Sequence, residues 1–221
     1  LVGTGPLLNN TAQVDKPYCI TSFDVLYMER GAGQLLFLVI GDAEKKAIER
    51  MFVYWSFQAR TCGDTSGSVA GQYQAGATFV AGYWYTDFAL VELKQKPSSQ
   101  ANVYYAGWDR SSAVLAGGVA IHHPQGDLKK ISRENDPLSK LDNVTSSGVE
   151  HGACFVVGKW EPGTGMTEGG SSGCSFFALP GKRTVGQLIG SSCTCDSPGP
   201  SAFGPLYRSW SEGGSPETRL S

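Results

Sequence analysis

Short segments rich in β-branched and aromatic residues recur along this chain, separated by turn-forming segments. The separators at 63–76, 135–148 and 195–204 are rich in Gly, Ser, Pro, Asn or Asp, which favour turns. With 29 Gly, 11 Pro and only 17% charged residues, the composition favours strands over helices. The pattern predicts an all-β sandwich or barrel pair, with strands at 53–58, 78–84, 88–94, 101–107, 114–122, 153–157, 174–179, 184–189 and 203–209.

The chain offers one convincing helix, at 42–50, where Asp42 is suited to cap a run of helix-forming residues. Its 221 residues suffice for one substantial domain or for two small barrels packed as one unit. A midline near 107–117 divides it into an N-terminal half of about 1–107 and a C-terminal half of about 113–221. We expect the two halves to form a single unit across 1–221.

Charge and hydropathy exclude several classes of function. The net charge is −2 and no Lys/Arg stripe with interleaved aromatics is present, so we expect no nucleic-acid partner. The longest apolar run, 35–40, is too short to cross a bilayer, and no leader pattern opens the sequence. We therefore expect no transmembrane segment, with any targeting segment already absent.

One motif carries chemistry. In the segment 167–177, Ser172 is flanked by glycines and precedes an apolar run, which suits a tight turn followed by a buried strand. In such a turn the amides of Gly170 and Ser172 would be available to hold an oxyanion. The same composition is common in ordinary flexible loops, so the motif by itself leaves both interpretations open.

Several segments taken together resemble the bacterial lysyl endopeptidases, a branch of the trypsin-like serine proteases, over nearly the whole chain. The resemblance implies a double six-stranded antiparallel β-barrel (chymotrypsin/trypsin-like), with a catalytic cleft between the barrels. It also implies an extracytoplasmic or secreted location. The segments follow the family's order: 3–12, 18–25, 53–55, 87–93, 106–110, 120–124, the Ser172 loop, 186–188 and 207–210.

The resemblance puts Ser172 at the nucleophile position and Asp87 at the orienting carboxylate, but Asp24 in the slot of the general base. Aspartate is a weaker base than imidazole and has a shorter reach, so the triad is degenerate. If Asp24 and Asp87 face each other, repulsion should raise one pKa or admit a water or cation. The histidines His122, His123 and His151 occupy no convincing position for a substitute base.

The specificity pocket implied by the resemblance is also altered. Ser201 best matches the pocket-floor carboxylate, although Asp196 lies nearby in sequence. Trp108 matches the aromatic wall, and Ile189 stands where the family has its histidine partner. A hydroxyl cannot neutralise a buried ammonium, so we expect lysine recognition to be largely lost.

The six cysteines show no regular spacing that predicts disulfide pairing. By the resemblance, Gly3 and Val25 replace two cysteines that the family pairs, whereas Cys62 and Cys193 match family cysteines whose partners lie outside this chain. The others, Cys19, Cys154, Cys174 and Cys195, look like additions. Cys193-Thr194-Cys195 lacks metal-site spacing, so we expect no metal and no cofactor.

Between 25 and 53 the chain is longer than the family, adding 26–41 with the apolar run 35–40. This run is either an extra buried strand or an exposed patch that a partner covers, through Leu35, Phe37 and Val39.

Three functions follow from these observations. The first is a catalytically inactive protease homologue acting as a binding or structural scaffold, perhaps in a larger assembly with a protein partner. The second is a serine endopeptidase or esterase with an atypical base, and the third is a cleft that binds a small ligand or carbohydrate.

Overall fold

A computed structural model of the chain describes residues 2–12, 14–27, 39–67, 72–194, 197 and 199–221. The helices are α1 (Phe23–Leu26), α2 (Asp42–Ile48) and α3 (Leu206–Ser211). The strands of the N-terminal half are β1 (Leu7–Leu8), β2 (Tyr18–Ser22), β3 (Phe52–Tyr54), β4 (Tyr73–Ala75), β5 (Ala77–Tyr83), β6 (Phe88–Leu93) and β7 (Tyr105–Ala106). Those of the C-terminal half are β8 (Gly118–His122), β9 (Lys130–Glu134), β10 (Ser139–Leu141), β11 (Val144–Ser146), β12 (Val149–His151), β13 (Cys154–Val157), β14 (Ser175–Ala178), β15 (Arg183–Ser191) and β16 (Ser201–Pro205).

The strands form two main sheets and two hairpins. The first sheet has the order β5-β6-β2-β1-β7 and the second β10-β13-β16-β15-β14-β8-β9, while β3-β4 and β11-β12 pair separately. Every neighbouring pair is antiparallel except β1 with β7. The all-β class is therefore confirmed. The two main sheets contain five and seven strands, whereas two barrels of six strands each were expected.

Each sheet covers its own apolar core because alternate side chains of its strands point inward. In β8, for example, Ala120 is fully buried while Ile121 is exposed. Phe176 and Phe203 meet at the centre of the second core, with ring centroids 5.2 Å apart. Helix α3 brings Leu206 from the C-terminal half onto Leu8, Ile20 and Phe88 of the first sheet, and so joins the two halves.

Most predicted strands are confirmed to within a few residues, including 78–84, 88–94 and 184–189. The strand predicted at 203–209 is wrong in its second half, since β16 ends at Pro205 and α3 follows. Leu206 and Ser209 are buried on the inner face of that helix, so a helical turn contacts the first sheet where a strand was expected. No strand was predicted at β2, which is the middle strand of the first sheet, or at β9, which is an edge strand of the second.

The helix predicted at 42–50 is confirmed as α2, which ends at Ile48. Gly41 rather than Asp42 is the N-cap, and the Glu44 carboxylate accepts a hydrogen bond from the Gly41 amide at 3.1 Å. In the apolar run before it, Leu35 and Phe37 lie outside the described residues. Val39 is described and is 62% exposed.

Replacing Phe176 with Ala should lower the free energy of unfolding by roughly 3–5 kcal/mol, because it leaves a cavity between Phe203 and Trp160. Urea unfolding followed by tryptophan fluorescence measures the change. The matched control is Phe52→Ala, which removes a ring that is 58% exposed and should cost less than about 1 kcal/mol. Equal losses in the two variants would contradict this placement of the core.

Candidate active site

The turn that carries Ser172 is built from two glycines with left-handed backbone. Gly170 has φ +86° and Gly173 has φ +82°, a region that favours glycine. Neither position has room for a side chain, since a Cβ on Gly173 would lie 2.2 Å from Thr21 Oγ1 and one on Gly170 2.7 Å from the Gly126 amide. The turn is therefore packed closely against β2 on one side and the loop after β8 on the other.

Thr4 binds this turn from the N-terminal segment. Its amide donates to the Ser172 carbonyl at 2.9 Å, and its hydroxyl donates to the Gly170 carbonyl at 2.9 Å. The Thr4 carbonyl accepts from Thr21 Oγ1, also at 2.9 Å. Both carbonyls of the turn are thus satisfied.

Two amides of the same turn, unlike these two carbonyls, make no hydrogen bond to a described residue. Across the part of the chain that the structure describes, neither the Gly170 nor the Ser172 amide donates to a protein acceptor. The Ser172 side chain is half-buried, and its hydroxyl likewise makes no hydrogen bond to a described residue. The turn therefore presents two amide donors and a hydroxyl that make no hydrogen bond to any described residue.

Ser171, by contrast, points into the protein. It is fully buried, and its hydroxyl lies 2.8 Å from Nδ1 of His122, whose Nε2 lies 3.0 Å from the hydroxyl of Ser132. His122 and Ser132 are also fully buried. Burial lowers the pKa of His122 to about 4, so the ring is neutral at pH 7.

Asp24 and Asp87 lie side by side where β2 ends and β6 begins. Asp24 is exposed at the start of α1, and Ser22 Oγ donates to its Oδ1 at 2.5 Å. Asp87 is buried in the turn between β5 and β6, where its Oδ1 accepts from the Asp24 amide at 3.2 Å. Its Oδ2 is buried and has no hydrogen-bond partner among the described residues.

The environment of Asp87 disfavours its charge. Burial raises its pKa well above the usual value, and the carboxylate of Asp24 raises it further. The main-chain amides of Asp24 and Phe23 oppose this shift. The Asp24 amide donates to the carboxyl group, and the Phe23 amide donates to the Asp87 main-chain carbonyl at 3.0 Å. Asp87 also has a positive φ of 52°, which is uncommon for a residue other than glycine.

His151 reaches this region from the other half of the protein, a contact that the sequence did not indicate. It ends β12, is 6% exposed, and its Nδ1 donates to the Trp84 carbonyl at 2.8 Å. The Trp84 carbonyl also accepts from the Asp87 amide at 3.1 Å. Burial lowers the pKa of His151, whereas the Trp84 carbonyl and the charge of Asp24 raise it.

The side chain of the remaining histidine, His123, contacts Phe57 and its own loop. Its ring stacks on Phe57 with centroids 6.0 Å apart, and Nδ1 lies 2.9 Å from the Asp127 carbonyl. It supports the loop after β8.

Ser201 lies in a buried polar cluster rather than on an open pocket floor. Its hydroxyl accepts from Trp160 Nε1 at 3.0 Å and lies 2.8 Å from the hydroxyl of Thr167. Cys193 Sγ is 3.6 Å away. Ile189 is also buried, in a neighbouring apolar cluster with Cys154, and Asp196 lies outside the described residues.

The structure does not bring Trp108 to this pocket. Trp108 pairs with Thr184 at the start of β15, whereas Ile189 is five residues further along that strand, roughly 17 Å away. The Trp108 ring instead stacks on Trp210 with centroids 5.0 Å apart, and its Nε1 donates to the Asn9 carbonyl. The aromatic wall inferred from sequence therefore belongs to a different surface.

The positions of the exchanged cysteine pair lie in contact. A Cβ on Gly3 would be 3.2 Å from Cβ of Val25, close to the roughly 3.5–4.5 Å of disulfide-bonded pairs. Val25 fills this space with its two methyl groups. Among the described cysteines, Cys19, Cys62, Cys154, Cys174 and Cys193 are free thiols.

Three carboxylates, those of Glu134, Asp136 and Glu161, have oxygen atoms within 4.8 Å of one another, a spacing at which they could hold a cation. Glu134 Oε1 already accepts from the Asp136 amide at 2.8 Å. Among the described residues, no helix is long and apolar enough to cross a membrane.

The overall arrangement is that of a chymotrypsin-like serine protease. A thermostable serine protease, AL20, from an extremophilic microorganism superimposes with a TM-score of 0.58 at 12% identity, covering 92% of this chain and 83% of that one. The active form of the Rv3671c protease of M. tuberculosis gives 0.52 at 16% identity, covering 92% and 68%. These likenesses concern the fold.

Sequence comparison identifies the branch. The family described as lysyl endopeptidase, C-terminal domain, matches residues 1–204. A lysyl endopeptidase of Pseudomonas aeruginosa is 33% identical over an alignment of 118 residues that covers 51% of this chain and 23% of that protein. The chain belongs to the lysyl endopeptidase family, and its match spans about a quarter of the length of that relative.

Replacing Asp87 with Asn should stabilise the protein at pH 7. Because the folded pKa lies above the ordinary 3.8, folded Asp87 keeps its proton longer than the unfolded chain does, so stability is lost as pH rises above about 4. The advantage of the variant should therefore grow with pH, as urea unfolding at several pH values would show. Asp15→Asn is the control: Lys96 lowers the pKa of Asp15, so the opposite sign is expected. A destabilised Asp87→Asn protein would contradict this description of the site.

Proposed function

We propose that this family member does not cleave peptides and that it acts through its cleft as a binding scaffold for a protein partner. One observation carries the proposal. Within the described residues no imidazole hydrogen-bonds to the Ser172 hydroxyl, since His122, His123 and His151 each bind other groups. The family resemblance assigns Asp24 to the slot of the general base. A serine without a base to take its proton is a poor nucleophile.

Asp24 is a poor substitute for the missing imidazole. Its carboxylate is exposed and accepts a hydrogen bond from Ser22, and a carboxylate is intrinsically a weaker base than an imidazole. In a well-studied serine protease, loss of the histidine costs about a millionfold in turnover. A loss of that order would leave no useful proteolysis.

The surroundings of Ser201 support the loss of lysine recognition. Its hydroxyl is already engaged by Trp160 and Thr167, and it carries no charge to balance an incoming ammonium. Burying an unpaired cation is costly. Peptides with lysine would therefore gain little from this part of the cleft.

A binding role is consistent with the parts that are retained. The turn at Ser172 keeps its glycine geometry and its free amides, which suit a ligand oxygen whether or not it reacts. Val39, with 62% of its surface exposed, is the described part of the apolar run proposed to contact a partner. Leu35 and Phe37 complete that run in sequence.

A serine hydrolase with a relocated base is the second candidate, and His151 favours it. Its Nδ1–H donates to the Trp84 carbonyl, which leaves Nε2 as the unprotonated nitrogen of a neutral ring. Asp24 lies near enough to raise the His151 pKa. This candidate requires a displacement that brings Nε2 within hydrogen-bond distance of the Ser172 hydroxyl.

A fluorophosphonate probe, with intact-mass detection of the adduct, tests the first proposal. We expect the wild type to gain no more adduct than Ser172→Ala, because the hydroxyl is not activated. Asp24→His should increase labelling by about 10²–10⁴-fold by restoring a base beside Asp87. Asp24→Asn is the matched control and should stay at background. Rapid labelling of wild-type Ser172 would refute the proposal that the site is inactive.

The second candidate makes its own prediction for the same probe. If His151 serves as the base, the wild type should label at Ser172, and His151→Ala should lose that labelling by about 10²-fold or more. His123→Ala should retain it, because His123 is held by Phe57 and the Asp127 carbonyl instead. Labelling that survives His151→Ala would exclude this base.

A further inference from the structure

A buried chain of polar groups lies directly beneath the Ser172 turn. The Glu168 amide donates to Ser171 Oγ at 3.2 Å, Ser171 Oγ lies 2.8 Å from His122 Nδ1, and His122 Nε2 lies 3.0 Å from Ser132 Oγ. All three side chains are fully buried. Both ring nitrogens are therefore satisfied inside the protein, as a buried imidazole requires.

The main chain of Ser171 is fully engaged as well. Its amide donates to the Glu168 carbonyl at 3.0 Å, and its carbonyl accepts from the Cys174 amide at 2.9 Å. With side chain and main chain both held, the peptide planes on either side of Ser171 have little freedom to rotate. Those planes include the one that carries the Ser172 amide.

The carbonyl groups of the turn are held separately, by Thr4. Its hydroxyl and amide bind the Gly170 and Ser172 carbonyls. The groups left over are the two amides that donate to no described acceptor. Ser171 and Thr4 thus hold the turn from opposite sides and leave only its donors available.

We propose that His122 is a positioning residue: through Ser171 it holds the peptide plane that carries the Ser172 amide, so that this amide stays available, beside the Gly170 amide, to an oxygen of a bound ligand such as a carboxylate or a peptide carbonyl. The inference rests on the proposed function only in that the ligand enters this cleft. It requires no reaction at Ser172. The imidazole acts through Ser171 and does not itself touch the ligand.

Sodium acetate is a simple probe of this arrangement. In ¹⁵N-labelled protein, titration with acetate against sodium chloride at equal ionic strength should shift the Gly170 and Ser172 amide signals saturably. Ser171→Ala, which cuts the link but keeps the imidazole, should weaken acetate binding by about tenfold, the loss expected for one hydrogen bond to a buried group. His122→Gln should weaken it similarly.

Two serine variants separate positioning from general stability. Ser132→Ala removes the other partner of His122 and should destabilise the core, yet it keeps the bond between Ser171 and His122 and should bind acetate as the wild type does. Ser175→Ala is the neutral control, because Ser175 Oγ is buried in β14 without a hydrogen-bond partner among the described residues.

Wild-type acetate affinity in folded Ser171→Ala and His122→Gln would overturn the proposal, as would the absence of any saturable shift in the wild type. Equal weakening in Ser132→Ala and Ser171→Ala would also overturn it, since that result assigns the chain a purely structural role. Fluorophosphonate labelling of Ser172 would refute the inactive-site proposal but leave this inference standing.

Discussion

Thr4 makes the hydrogen bonds on which the position of the Ser172 turn depends. It donates to the carbonyls of Gly170 and Ser172, accepts at its own carbonyl from Thr21 on β2, and accepts at its hydroxyl from the His123 amide at 3.2 Å. A single residue of the N-terminal segment thereby connects the first sheet, the nucleophile turn and the loop after β8. Because these contacts are short and partly buried, the turn is fixed before any ligand arrives.

None of these contacts uses the side chain at position 24. The Asp24 amide still donates to Asp87, and the Asp87 carbonyl still accepts from the Phe23 amide, as main-chain groups can do whatever the side chain is. Exchange of the base would therefore leave the fold intact while removing the step in which a proton leaves Ser172. The buried, pKa-raised Asp87 is the kind of costly feature that proteins retain at functional sites.

The family, the all-β fold and most central strands could be predicted from sequence, because alternating burial and glycine-rich turns are local signals. The relation between Gly3 and Val25 also emerged from the resemblance, and the structure places them in contact. The positions of Trp108 and His151 could not be predicted. Each depends on a contact between distant segments, Trp108 with Trp210 and His151 with the Trp84 carbonyl, which no local pattern encodes. The helix at the end of the predicted strand 203–209 could not be predicted for the same reason. It depends on the packing of Leu206 against the N-terminal half of the protein.

The central claim is that the cleft no longer cuts peptides although its turn is preserved. Mass spectrometry of a lysine-containing peptide mixture, incubated separately with the wild type and with Ser172→Ala, tests it most directly. The account predicts indistinguishable peptide profiles for the two proteins. Cleavage products that form with the wild type and are absent with Ser172→Ala would contradict it.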